Sequence, residues 1–257
     1  MFLPLKDDNP TLRKPYVTIG LIALNTIVYL FTDLFQSYQM ASFLSFKYGL
    51  IPYEITHLEE ISAQAAQQIG QLRGFASEDI SVSIMATPFT SMFMHGGFMH
   101  LAGNMLYLWI YGNNIEDYFG HVRFLLFYLV GGLAAVALHI AISPGSPVPL
   151  IGASGAISAV LGAYFVLYPR ARVLVLIFFF FITTMWLPAS VVLGFYFVMQ
   201  LLSAVAGLGG ASGGGVAWFA HIGGFAFGWA LLRLLVKKRG PSNFGGGDRA
   251  RIYRVKF

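Results

Sequence analysis

The sequence predicts an all-α membrane protein: a polytopic bundle of six transmembrane helices with a long first outer loop. Three observations predict it. The 257 residues are 57% hydrophobic and only 11% charged, against about 25% charged in a soluble domain, and the mean hydropathy is +0.69. Six apolar stretches reach or approach the roughly 20 residues that cover a hydrocarbon core. The basic residues gather at alternate ends of those stretches, the bias that orients a membrane protein.

The stretches run near residues 16–36, 97–115, 122–142, 153–169, 188–207 and 216–236. Each must be helical, because lipid offers no partner for a free backbone group. The first exceeds the apolar core of about 7–15 residues found in a cleaved signal and has no small-residue cleavage pattern after it, so it reads as a permanent span. Residues 1–15 before it, with Lys6, Arg13 and Lys14, read as a cytoplasmic tail.

The first connection carries Lys47 and Arg73 against Glu54, Glu59, Glu60, Glu78 and Asp79, and belongs outside. Within it, Ile55–Ile69 has the pattern of an amphipathic helix, lying on the bilayer or packed on the bundle. Arg123 and His121 place the second connection inside; Arg170 and Arg172 do the same for the fourth. The connections 143–152 and 208–215 carry no charge.

Residues 173–186 are intensely apolar but number only 14. A seventh span there would carry Lys237, Lys238 and Arg239 outside, so the segment reads as a membrane-dipping or interfacial stretch leading to Pro188, a residue suited to the first turn of a helix. Residues 16–236 form the membrane domain. Residues 237–257 form a basic cytoplasmic tail facing the anionic inner leaflet.

The net charge of +5 therefore marks membrane orientation and implies no nucleic-acid partner. Cysteine is absent, which excludes disulfides, thiolate zinc sites and a cysteine nucleophile.

Polar side chains inside spans mark function by default. His100 and Asn104, four apart, share a face of the second span, and His95 lies just before it. Ser154 follows Gly152 and Ala153 at the start of the fourth span. A helix start has unpaired N–H groups and favours negative charge. A serine there is either a plain N-cap or a reactive group, and the flanking Gly152 and Gly155 favour close approach of another backbone. Ala220, Gly224 and Gly228 form a small-residue stripe around His221 in the sixth span, and Ser154, Ser158 and Gly162 form another in the fourth. Two such stripes let helices touch at backbone distance, which would bring His221 to Ser154. Glu116, Asp117 and Arg123 at the inner end of the second span read as structural ion pairs.

Serine attack on an amide needs a base and donors for the oxyanion. His221 can be the base; the Ser154 N–H, His100 and Asn104 can be the donors. No acid lies in the fourth or sixth span, so the pair would be a dyad. Hydrolysis also needs water, so the cluster of His95, His100, Asn104, Ser154 and His221 requires a cavity opening outwards, with the outer loops as its lid.

At these residues the chain resembles the rhomboid family of intramembrane serine proteases, over roughly residues 40–236. The resemblance rests on His95-x4-His100-x3-Asn104, on Gly152-x-Ser154-Gly155, and on Ala220-His221-x2-Gly224-x3-Gly228; Glu116, Gly120 and Arg123-Phe124 also fit. It implies Ser154 as nucleophile, His221 as base, and His100 and Asn104 at the oxyanion site, with Gly152 beside it and His95 in support. It implies no cofactor and no metal, and as substrates single-pass transmembrane proteins cut near the outer face through an acyl-enzyme. Some members carry an aromatic four residues after the nucleophile; here that position is Ser158. The compact chain suggests a prokaryotic inner membrane, with both termini cytoplasmic.

Two rivals remain. A metalloprotease would use His95, His100, His139 and His221, but no His-Glu-x-x-His run exists. A non-catalytic protein that binds or transports transmembrane segments would suit the stripes and buried polar groups equally.

Overall fold

The computed structural model describes residues 2–60, 82–178, 182–208 and 217–237. Every expected span is helical. The first is α1 (Tyr16–Tyr29), continued by a π-helical turn over Leu30–Leu34. Helices α2 (Tyr38–Tyr48) and α3 (Pro52–His57) follow in the outer loop. The second span is composite: α4 (Phe98–Tyr107), a π-helical turn (Leu108–Gly112) and α5 (Asn113–Phe119). Then come α6 (His121–Ile142) and α7 (Ser154–Leu167). Two strands intervene before α8 (Ala189–Leu208) and α9 (Trp218–Lys237). Among the described residues, four helices are long and apolar enough to cross a membrane: Tyr16–Leu34, His121–Ile142, Ala189–Gly207 and Trp218–Val236.

Helix α7 is the centre of the bundle. Every residue from Ala156 to Tyr164 is buried, so protein and not lipid surrounds it. Its 14 residues span about 21 Å at roughly 1.5 Å per residue, against a hydrocarbon core of about 30 Å. With its last turn held near Arg170 and Arg172, its first residue stops roughly 10 Å short of the far surface. Ser154 is thus set below the plane of the membrane face.

Helix α3 starts at Pro52 and closes at Leu58, whose φ of 54° is left-handed and whose N–H donates to the Glu54 carbonyl. Residues 61–69 of the amphipathic stretch lie outside the described residues, as do residues 238–257 of the basic tail.

Of the two expectations for 173–186, a membrane-dipping or an interfacial stretch, the described residues favour the second, and as strands. They form β2 (Arg172–Phe178) and β3 (Ile182–Pro188), paired antiparallel from Arg172 with Pro188 to Phe178 with Ile182. Fourteen apolar residues cannot span as a helix, but they make two adequate strands. The N-terminal segment supplies the third: β1 (Phe2–Asp7) pairs with β2 from Phe2 with Ile177 to Asp7 with Val173. Helical periodicity gives no hint of this pairing, which joins residues about 170 apart. Val173 and Val175 are fully buried against the bundle. Among the described residues both outer strands have one unpaired edge, which suits water or headgroups and not hydrocarbon.

Charged groups tie this end together. Asp8 accepts from Arg172 Nε at 2.7 Å. Asp7 accepts from the Tyr164 hydroxyl at 2.6 Å and from Asn114 Nδ2 at 2.8 Å. Burial raises the Asp7 carboxyl to about 6, against the opposing pull of those hydrogen bonds. A raised folded-state pKa means that the protonated form is the one the fold favours. The contribution is complete below the unfolded value near 4 and fades as pH rises through 6. Hydrogen-exchange protection of the β1 amides should therefore fall between about pH 4 and pH 6 and level off above that, and Asp7→Asn should remove that dependence.

Glu116 and Asp117 do more than form ion pairs. Glu116 is 1% exposed. It accepts from the Val17 N–H (2.9 Å), the Thr18 N–H (2.7 Å) and the Thr18 hydroxyl (2.7 Å), and pairs with His121 Nδ1 at 2.6 Å. Pro15, at the N-cap of α1, contributes no side-chain bond, so a carboxylate from another span caps that helix in its place. Asp117 likewise accepts from the Leu12 and Arg13 N–H groups. Glu116→Ala leaves several buried donors unpaired and should lower stability by about 3 kcal/mol, read as an earlier unfolding transition in detergent.

Candidate active site

The close approach that the stripes predict is present, with one shift of register. A Cβ added at Gly224 would collide with the Gly155 carbonyl, and one at Gly228 with the Ala159 carbonyl. From the other side, a Cβ at Gly162 would collide with the Phe225 carbonyl. The contact face of α7 is therefore Gly155, Ala159 and Gly162, one residue on from Ser154 and Ser158. That offset has a purpose. It turns Ser154 away from the packed seam, so that its hydroxyl faces open space.

Across the seam, Ser154 Oγ lies 2.7 Å from His221 Nε2. Both side chains line a cavity of about 710 Å³, together with His100, Asn104, Gly152 and Tyr196. The volume admits several residues of an extended peptide as well as water.

Gly152 closes one wall. Its φ is +128°, and a Cβ there would stand 2.8 Å from His100 Nε2. Its N–H donates to the Ser91 carbonyl at 2.8 Å, which anchors the turn into α7. Both constraints exclude a side chain. Gly152→Ala should displace His100 and strain the turn, so that reporter cleavage falls about 100-fold and the unfolding temperature falls with it.

His95 does not line the cavity. It is buried behind Asn104, whose Nδ2 lies 2.9 Å from His95 Nε2. An amide nitrogen only donates, so His95 Nε2 accepts and its Nδ1–H is left for the Phe93 carbonyl at 3.3 Å. His95 thus orients Asn104 and leaves its second N–H for the cavity. His100 packs edge-on to His95, with ring centres 5.1 Å apart.

The outer loops are stitched over this site. Leu50 and Leu150 exchange backbone hydrogen bonds of 3.0 and 2.7 Å, and the Thr56 hydroxyl donates to the Pro144 carbonyl at 2.9 Å. Among the described residues, no three His, Cys, Asp or Glu side chains are grouped to hold a metal ion.

Two residues of the site escaped the reading of the sequence, both on α8. Tyr196 OH lies 2.9 Å from Ser158 Oγ, and Gln200 Oε1 lies 2.9 Å from His221 Nδ1. They are four apart in an otherwise apolar span, the spacing that places two side chains on one helix face. A buried glutamine in a span is itself a signal.

Bundle and site together define a multi-pass membrane protein with a serine–histidine pair held between two of its spans. The chain belongs to the rhomboid family: its residues 84–238 match the rhomboid domain. It is 46% identical over 74 residues to Rhomboid protease GluP of Bacillus subtilis, covering 29% of this chain and 14% of that protein. It is 29% identical over 184 residues to RHOMBOID-like protein 6, mitochondrial, of Arabidopsis thaliana, covering 65% and 52%. With Rhomboid protein 1, mitochondrial, of Saccharomyces cerevisiae it shares 28% identity over 159 residues, covering 58% and 42%. The chain spans about half or less of the length of each of these relatives. Two of the three are mitochondrial, so they lend no support to residence in a prokaryotic inner membrane.

Proposed function

We propose that this protein is a serine endopeptidase that cleaves transmembrane proteins within the bilayer, with Ser154 as nucleophile and His221 as base. One observation carries the reading: the 2.7 Å approach of Ser154 Oγ to His221 Nε2 at the wall of a cavity inside an apolar bundle. A hydroxyl and an imidazole at that distance in a water-accessible space suit nucleophilic catalysis, whereas a packing pair would be sealed.

In this reading, Ser154 Oγ attacks the scissile carbonyl carbon as His221 Nε2 takes the hydroxyl proton. The oxyanion is met by the Ser154 N–H, by Asn104 Nδ2 and by His100. The intermediate collapses, the C–N bond breaks, and His221 returns the proton to the leaving amine. Water then attacks the acyl-enzyme with His221 again as base, releasing the acid and Ser154. The substrate is a single-pass segment whose helix unwinds, since a peptide bond is reachable only when extended. Lys and Arg near both ends support an orientation with both termini on the cytoplasmic side.

The test is cleavage of a single-pass reporter by purified protein in liposomes, with fluorophosphonate labelling in parallel. Wild type should cleave and be labelled at Ser154; His221→Ala should do neither. Labelling that persists without His221 would overturn the dyad. A protein that binds the reporter without cleaving it would favour the non-catalytic alternative.

A further inference from the structure

We propose that Gln200 of α8 is a positioning residue that holds the His221 ring in its working tautomer, an inference that rests on the protease reading above. Gln200 Oε1 stands 2.9 Å from His221 Nδ1. A carbonyl oxygen only accepts, so Nδ1 must carry the proton. Nε2 then offers its lone pair to the Ser154 hydroxyl, 2.7 Å away. This is the tautomer that a general base needs. With no acceptor at Nδ1, the ring is free to carry its proton on Nε2, and Ser154 would then face a donor instead of a base.

Among the described residues, nothing else bonded to the ring supplies this hold. Its other close neighbour, Trp218, meets it edge-on with ring centres 6.2 Å apart and planes at 85°. The titratable groups bearing on it are His100 of α4 and His139 of α6. Among the described residues no carboxylate bonds His221. Gln200 is only 8% exposed, so bulk water does not replace it freely.

Helix α8 is itself fixed at this level. Tyr196, one turn before Gln200, bonds Ser158 of α7 at 2.9 Å. Phe197 stacks on Phe225 of α9, with ring centres 4.6 Å apart and planes at 27°. The amide is thus presented from a helix pinned to both helices that carry the reactive pair. Ser158, where some relatives carry an aromatic, is part of that arrangement: its hydroxyl receives α8, and α8 holds the histidine.

The test compares Gln200→Met, close in shape but without the acceptor, with Gln200→Glu, which keeps it. Reporter cleavage by the full chain in liposomes would give kcat, KM and the pH profile. Nitrogen-15 NMR of histidine-labelled protein would give the His221 tautomer. Methionine should lower kcat on the order of 10²-fold with KM within about twofold, less than the ~10⁴ lost when a triad aspartate is replaced, and should abolish the Nδ1–H form. Glutamate should restore kcat to within a few-fold and move the acid limb to higher pH, because its charge favours the imidazolium.

Unchanged kcat or tautomer in Gln200→Met, with labelled and active wild type, overturns this proposal alone. Wild type that neither cleaves nor is labelled overturns the protease reading and this proposal with it. Should methionine unfold the protein, the glutamate variant decides: an unmoved acid limb overturns the assignment.

Discussion

Ser154→Ala is expected to reduce cleavage of a transmembrane reporter by at least about 10³-fold, to the level left by binding and oxyanion contacts alone. The hydroxyl lies 2.7 Å from His221 Nε2 and, among the described residues, is the one hydroxyl bonded to that ring. Alanine removes it without changing the backbone of α7, whose first turn is built from backbone and packing and uses no side-chain cap. Stability in detergent should therefore stay near wild type, and so should reporter binding. Cleavage assayed with a binding measurement in the same liposomes checks both halves. Retained cleavage would move the nucleophile elsewhere; lost binding would show that the serine shapes the cavity.

Gly224→Ala should be nearly as damaging, although it adds one methyl group to a residue outside the reaction. That methyl would collide with the Gly155 carbonyl, next to Ser154. Helices cannot compress, so α9 must move away from α7 and take His221 with it. Misplacing reacting groups by about 1 Å costs on the order of 100-fold in rate. The repacking itself costs about 1–3 kcal/mol. The variant should thus show both a reduced melting temperature and a loss of about 100-fold in kcat. Rates measured well below the melting transition separate the two effects. A variant with full activity would mean that the seam does not set the distance between serine and histidine.

Much of this molecule was legible from residue order. The helical membrane bundle follows from apolar length and basic flanks, because lipid penalises any unpaired backbone and so leaves little but helix. The serine, the histidines and Asn104 stood out because polar groups are costly in that medium. Glu116 was read, with Asp117 and Arg123, as a structural ion-pair residue; it does pair with His121, but its bonds to Val17 and Thr18 join residues about 100 apart and carry no local signal. Gln200 went unnoticed because one polar residue on α8 carries no spacing with His221, 21 positions away.

By itself, the order of residues determined the class of fold, the candidate serine and histidine, and the small-residue faces that let their helices meet. These are local properties, set by hydrophobicity and side-chain size. The tertiary structure alone decided which face of α7 forms the seam, that residues 2–7 complete a sheet with 172–188, and that α8 supplies the acceptor for His221. Each of these depends on how rigid elements settle against one another across long separations. That choice is made by collective packing, which no short stretch of sequence encodes.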